Sequence, residues 1–467
     1  MIPLTLGQAA QAVGGTLDGA DPAAAITGGV VTDNRRIEPG GLFVCVLGER
    51  VDGHDFAAKA VADGAVAVLA TRPVGVPAIL VDDVVVALGR LARAVVAGAP
   101  QAAVVGLTGS SGKTSTKDLI AQVLSAAGET VYADGNANNE IGHPLTALRI
   151  SPTTRHLVLE MGARHKGDIE YLTGITPPTV GLVLNVGSAH VGEFGSREGI
   201  AEAKGEMVEA LSADGVAVLN ADDPLVRAMR TRTKARVVLF GESPDADVRA
   251  TGVRLDATGR PRFTLSTPAG SAPVQLRLYG EHHISNALAA AAVAVELGMP
   301  VDRVAEALSE AGALSRWRME VVDRADGLTV VNDAYNANPE SMRAALRALA
   351  TMAGTGPERR RTWAVLGEMR ELGEDSLDEH DTIGRLAVRL DISKLVAVGG
   401  REAARMELGA RNEGSWGEES VLVSDTDAAI ELLRSQVRPG DVVLVKASRS
   451  AGLEKVAEAL LADGAAR

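Results

Sequence analysis

Ala102-Ala103-Val104-Val105-Gly106-Leu107 has the apolar run of a buried strand, Thr108-Gly109-Ser110-Ser111-Gly112-Lys113-Thr114 follows it directly, and Leu119, Ile120, Val123, Leu124 and Ala127 then fall at helical spacing. The order is strand, loop, helix. Glycines let the backbone N–H groups of such a loop turn towards phosphate oxygens at the positive end of the helix. Lys113 adds a charge that reaches the terminal phosphates, and Thr114 offers a hydroxyl to Mg²⁺. A strict Walker A loop has a further glycine where this chain has Leu107, so the loop is a shortened variant. Residues Thr108, Gly109, Ser110, Ser111, Gly112, Lys113 and Thr114 are therefore expected to bind a nucleoside triphosphate.

Outward from that unit, short Val/Leu/Ile-rich runs alternate with Ala-rich helical stretches along nearly the whole chain. This is the pattern of βαβ units around a mostly parallel sheet, and it predicts an α/β fold. A length of 467 residues corresponds to roughly three domains. Residues 1–100 hold candidate strands at Leu42 to Leu47, Ala65 to Leu69 and Ala78 to Val81, and they end on Gly98-Ala99-Pro100. Residues 101–313 form a central P-loop domain with further strand runs at His156 to Leu159, Val180 to Val186, Val216 to Leu219 and Val237 to Phe240. Alternating residues with Gly and Pro turns suggest a small antiparallel excursion from Val248 to Leu278, before a helix from Ile284 to Leu297. Residues 314–467 make a third α/β domain, with strands near Leu328 to Val331, Trp363 to Leu366, Leu395 to Val398 and Val442 to Val445.

Hydrophobic residues make up 46% of the chain against 23% charged, a globular composition without a long disordered tail. No apolar run approaches the roughly 20 residues that span a bilayer. The opening Met1 to Gly7 has neither a basic leader nor an apolar core before a cleavage site, so no membrane insertion and a cytoplasmic location are expected. The single cysteine, Cys45, lies inside an apolar run and reads as a small buried hydrophobe. A net charge of −13 argues against nucleic acid as a general partner, so anionic ligands must be held locally. The dense basic run Arg359-Arg360-Arg361 reads as a solvated loop.

In open α/β sheets, ligands sit beyond the carboxyl ends of the strands. Glu160 ends the run His156 to Leu159, and His190 follows Val180 to Val186 after a short link. A carboxylate and an imidazole there are possible oxygen and nitrogen ligands for one Mg²⁺ near the γ-phosphate. The alternative for His190 is a loop histidine satisfied by its neighbours.

With these residues in view the chain resembles the Mur ligase family. The string Gly135-Asn136-Ala137-Asn138-Asn139-Glu140-Ile141-Gly142-His143-Pro144-Leu145 is similar to the members that join D-alanyl-D-alanine to UDP-N-acetylmuramoyl-tripeptide. The resemblance implies that Asp33, Asn34 and Arg35 hold the UDP-sugar, with Asn34 standing where Ser is common, and that Asn138 and Asn139 meet substrate. It implies a catalytic set of Lys113, Glu160, His190 and Lys204, and a metal set of Thr114, Glu160, His190 and Lys204. Lys204 enters that set as a carbamate, because a free ammonium cannot bind a cation whereas a carbamate presents oxygens. Asn286 would lie near adenine, Arg318 near phosphate, Asp333 on the ribose and Asn336 in the same nucleotide segment; Asn338, Lys446 and Arg449 would bind substrate. Gly367 to Gly373 and His380 complete the pattern.

The implied chemistry uses ATP and Mg²⁺ to phosphorylate the tripeptide's terminal carboxylate, after which the amine of D-alanyl-D-alanine displaces phosphate. No covalent enzyme nucleophile is needed, and a monomer is expected. Two other readings compete. A sibling ligase that adds a diamino acid or lysine usually carries Asp-Asn-Pro-Arg in its last domain, a string absent here. A P-loop switch would use hydrolysis only to change shape.

Overall fold

Parallel strands buried on both faces need continuous apolar runs, and those runs build three main sheets. The computed structural model describes residues 1–48, 50–187 and 191–465. Its main sheets have five, nine and six strands, and a small two-stranded pair joins Leu4–Thr5 to Ala25–Ile26. The fold is α/β throughout, as the alternation predicts.

The first sheet runs Thr16–Asp18, Ala78–Leu80, Ala67–Ala70, Leu42–Val44, Val30–Val31, parallel except for its first pair. The central sheet is parallel from Thr130–Tyr132 through Val248–Leu255, and then antiparallel through Pro261–Thr267 and Gly270–Gln275, the excursion expected from the sequence. In the third, Glu320–Asp323 pairs antiparallel with Thr329–Asn332 and the other strands are parallel.

The order of the central sheet positions the site. Strand Ala103–Thr108 lies between Val180–Val183 and His156–Glu160, so the chain leaves it on both sides and opens a crevice at its carboxyl end. Register sets Glu160 opposite Leu107 and Val183 opposite Thr108. Both neighbours therefore end level with the loop.

Helix His282–Glu296 is buried nearly all round, with Ala287, Ala289, Ala290, Ala291, Ala292 and Ala294 in the core. Small side chains let it lie close against helix Lys113–Ser125, and it brings Asn286 to the loop. In the third domain, helices Ser376–Arg389 and Arg401–Glu413 pack through glycine: a Cβ on Gly384 would collide with the Met406 carbonyl, and one on Gly409 with that of Asp381.

Several expectations need correction. The run Leu42 to Leu47 is a strand only to Val44, because Val46 turns back to accept from Gly53 N–H and Leu47 bridges Asp52. Val180 to Val186 stops at Val183, where the chain leaves the sheet. Short strands at Thr16–Asp18, Val30–Val31, Thr130–Tyr132, Glu320–Asp323 and Ser420–Val423 carried too little apolar pattern to be read. Arg359-Arg360-Arg361 is not a solvated loop. Arg359 pairs with Asp391, Arg360 Nε donates to the Gly440 carbonyl at 2.7 Å, and Arg361 pairs with Asp441 at 2.6 Å and lies over the Trp363 ring. Cys45 is buried, and that burial pushes its thiol up to about 12.

Replacing Gly384 with leucine should force the two third-domain helices apart and destabilise the protein by roughly 2 kcal/mol or more. The check is the thermal unfolding midpoint, which should fall by several degrees; an unchanged midpoint would contradict the packing described.

Candidate active site

Helix Lys113–Ser125 begins after Gly112, whose φ of 77° is left-handed, and no side chain caps it. A side chain at Gly112 would meet Asn286 Oδ1 at 2.7 Å as well as straining the backbone. The loop before it is held by one amide. Asn185 Oδ1 accepts from Ser110 N–H at 3.0 Å and Ser111 N–H at 2.9 Å, while its Nδ2 donates to the Ser111 carbonyl at 3.1 Å. Lys113 Nζ donates to the Gly109 carbonyl at 2.8 Å.

Beside the loop, Thr114 Oγ1 donates to Glu160 Oε2 at 2.7 Å and Asn138 Nδ2 donates to Glu160 Oε1 at 2.8 Å. Glu160 is only 2% exposed. The Asn138 segment is pinned from below by Lys117, whose Nζ donates to the Ala133 and Gly135 carbonyls at 2.5 and 2.9 Å and lies 3.0 Å from Asp118. Asp118 Oδ2 in turn accepts from Ser315 N–H at 3.2 Å, which ties this helix to the segment carrying Arg318.

Lys204 is 3% exposed and has no carboxylate partner among the described residues. Burial, reinforced by Lys113, holds its amine well below the usual lysine range. A buried carboxylate and a hydroxyl directed at each other beside a phosphate loop suit a hard cation such as Mg²⁺, which takes one or two carboxylates and fills its other positions with phosphate and water. A neutral amine is also the form that reacts with carbon dioxide. His190 lies outside the described residues, and the described ones contain no group of three His, Cys, Asp or Glu able to hold a metal.

The facing wall comes from the alanine helix and the third domain. His282 and His283 stack at 4.2 Å, both pushed down by burial, His282 to about 4. Trp317 and Met319 adopt left-handed φ values of 60° and 49°, conformations that cost of order 1–3 kcal/mol each outside glycine. Hydrogen bonds to Glu320 Oε2 and Asp333 Oδ1, and from Tyr335 N–H to the Trp317 carbonyl, hold that turn. It places the Arg318 guanidinium 4.1 Å from the Tyr335 ring centroid, in the cleft. Asn338 caps helix Pro339–Met352 and reaches back to the Ser110 carbonyl at 3.5 Å. Together these walls enclose a cleft of about 1450 Å³ whose lining includes Val85, Lys113, Glu160, Lys204, Asn286, Arg318 and Arg370.

Models of three Mur ligase domains match in sequence along the chain: the Mur ligase family catalytic domain over residues 27–99, the Mur ligase middle domain over 107–294, and the Mur ligase glutamate ligase domain over 317–449. The chain belongs to the Mur ligase family. Among similar Mur ligases, the UDP-N-acetylmuramoyl-tripeptide--D-alanyl-D-alanine ligase of Mycobacterium tuberculosis (strain ATCC 25618 / H37Rv) is 52% identical over 99% of this chain and 98% of its own. That of Escherichia coli (strain K12) is 39% identical over 99% and 100%. Among solved structures, MurF from Acinetobacter baumannii superposes with a TM-score of 0.88 at 33% identity, covering 98% of this chain and 99% of its own. MurF ligase from Thermotoga maritima in complex with ADP gives 0.81 at 32%, covering 95% and 99%.

In this Mur ligase the cleft brings together Ser110 to Thr114, Asn138, Asn139, Glu160, Lys204, Asn286, Arg318, Asp333, Asn336, Asn338, Lys446 and Arg449. Thr108 and Gly109 lead into the loop just beneath it. Asp33, Asn34 and Arg35 are not part of the cleft. They form a surface turn in the first domain in which Asp33 and Arg35 pair at 2.7 Å. Two residues have local duties that the sequence does not reveal: Asn139 accepts from Gly142 N–H, and Lys446 is buried against Asp333 at 2.7 Å and the Asn336 carbonyl at 2.8 Å. Asn185, Lys117 and Asp118 are residues that sequence reasoning missed. Asn185 follows the carboxyl end of a buried run, the position that pointed to Glu160, whereas Lys117 and Asp118 sit in the polar first turns of their helix and carry no such signal.

Asn185→Ala should free the loop backbone by removing three hydrogen bonds, each worth about 1 kcal/mol. The KM for ATP should rise about tenfold or more, with the KM for the UDP-linked substrate unchanged. Equal increases for both would show a general loss of structure instead.

Proposed function

We propose that the chain is an ATP-dependent ligase that adds D-alanyl-D-alanine to UDP-N-acetylmuramoyl-tripeptide through an acyl phosphate, in the synthesis of peptidoglycan precursors. The observation that carries this reading is the Glu160 carboxylate, bonded to Thr114 of the phosphate loop and to Asn138 of the substrate string, inside a cleft walled by the third domain. Likeness over the full chain to ligases of that name supports the choice of substrates.

A carboxylate is a poor acyl donor because oxide is a hopeless leaving group. The phosphate loop and Lys113 hold the triphosphate so that a tripeptide carboxylate oxygen can attack the γ-phosphorus, releasing ADP and leaving an acyl phosphate. The dipeptide amine then attacks the acyl carbon, the C–O bond to phosphate breaks, and the amine proton passes to the released phosphate or to water. Thr114 and Glu160 would hold Mg²⁺, which would supply charge neutralisation on the transferring group. Lys204 would join that set as its carbamate, and His190 as a nitrogen ligand. Arg318 and Asp333 serve the nucleotide with Asn286 and Asn336, and Asp33, Asn34 and Arg35 serve the UDP-sugar in the first domain.

Residues 1–100 thus hold the UDP-sugar, 101–313 the ATP, and 314–467 complete the nucleotide site and take the amine. One chain supplies the whole cleft, so a monomer suffices. Both nucleotide substrates are cytoplasmic metabolites, which supports a cytoplasmic location, and no helix of the described residues is long and apolar enough to cross a membrane.

Incubation with ATP, Mg²⁺, UDP-muramoyl-tripeptide and D-alanyl-D-alanine should yield the amide by mass and ADP in equal amount, with no ADP when the amine and the UDP-substrate are withheld. ADP release without amide would identify a switch instead. Lys113→Ala should abolish turnover while calorimetry still detects UDP-substrate binding; normal turnover would remove the loop assignment. Lys204→Ala should lose activity that added short-chain carboxylates partly restore, and full activity without them would exclude the carbamate.

A further inference from the structure

A dipeptide amine substrate carries a carboxylate at its far end, and taking that charge out of water without a partner is costly. The third-domain wall of the cleft offers four cations: Arg318, Arg370, Lys446 and Arg449. Arg318 is stacked on Tyr335 at the nucleotide end. Lys446 is 2% exposed and committed to Asp333 and the Asn336 carbonyl. Arg449 pairs with Glu454 at 2.7 Å and lies 4.3 Å over the ring of Trp317, which adjoins Arg318 on the nucleotide side.

Arg449 is 49% exposed, so Arg370 differs only a little from it in exposure and chiefly in mounting. Its side chain is 59% exposed, yet its backbone is anchored: Arg370 N–H donates to Ser448 Oγ at 3.0 Å, and Ser448 N–H donates to the Glu368 carbonyl at 3.0 Å. Met369 N–H donates to His380 Nε2 at 2.9 Å, while His380 Nδ1 lies 2.6 Å from the Ser376 carbonyl, which fixes the ring. Glu368 Oε1 takes Nε and Nη2 of Arg370, so the guanidinium is oriented and its Nη1 has no acceptor among the described residues. The same loop faces the central domain, where Arg164 lies 3.8 Å from Glu371. Arg164 follows closely on Glu160 in the chain, so Arg370 stands on the side of the cleft where the acid is activated.

We propose that Arg370 binds the terminal carboxylate of the incoming dipeptide, with His380 and Ser448 as its positioning residues. This deepens the ligase reading above and rests on it. The assignment places this part of amine recognition on a residue of the Gly367–Gly373 loop and not on Lys446 or Arg449, which the resemblance gave only as substrate-binding.

The test compares D-alanyl-D-alanine with its C-terminal carboxamide, at saturating ATP and UDP-muramoyl-tripeptide, in wild type, R370Q, R370K and R449Q. A charge-assisted pair lost from R370Q should lower kcat/KM for the acid by about 10- to 100-fold, leave kcat/KM for the carboxamide unchanged, and leave the KM for ATP unchanged. R370K should keep part of the preference for the acid, and R449Q should change both amines by one factor. The proposal is overturned if R370Q lowers both amines equally or neither, or if R449Q alone removes the preference. A wild-type protein that joins neither amine overturns the ligase reading itself, a result distinguishable from the others because no variant is needed to see it.

Discussion

Helix Lys113–Ser125 starts on a left-handed glycine with no side-chain cap, so its first N–H groups and the positive end of its dipole face the cleft. An uncapped helix end beside Lys113 is an electrostatic arrangement that a polyanion completes. The surrounding structure keeps that end in place. Asn185 sets the loop backbone, Asn286 packs against Gly112, and Asn338 reaches the Ser110 carbonyl from the third domain. Three asparagines from three separate elements thus converge on three loop residues, Ser110, Ser111 and Gly112. Their side chains are neutral, so they hold the loop without competing for its positive field.

The Lys117–Asp118 pair extends the same helix's influence. Lys117 collects carbonyls from the segment that leads to Asn138, and Asp118 collects the N–H of Ser315, the first residue of the turn that presents Arg318. A buried ion pair is weak evidence for net stability, since desolvation offsets much of the attraction. Here both partners also satisfy backbone groups of other segments. Their effect is to tie the wall carrying Asn138 to the wall carrying Arg318.

Legibility in the sequence followed the range of the interactions. The loop, the α/β class, the antiparallel excursion and Glu160 were readable because each depends on neighbours in the chain: alternating apolar runs, glycine next to lysine, a polar residue at a strand end. Strands of two to four residues, such as Thr130–Tyr132 and Glu320–Asp323, carry too few apolar positions to stand out and exist because a longer strand pairs with them. The arginine run at 359–361 was misread for a related reason. Its partners Asp391, Gly440 and Asp441 are distant in sequence, so local charge suggested solvent where the fold supplies acceptors.

By itself the sequence determined the class of the fold, the strand-loop-helix unit around Gly109 to Thr114 and the family resemblance, all of which reside in local pattern and short strings. The tertiary structure decided which groups are still available to a ligand. Lys446 and Arg370 are both cations of the third domain, and nothing in their flanking residues separates them. Only packing buries the first against Asp333 and leaves the second's guanidinium turned to the cleft. The physical reason is that availability depends on where distant partners fall, and hydrogen-bond partners a hundred residues away leave no trace in the periodicity of the chain.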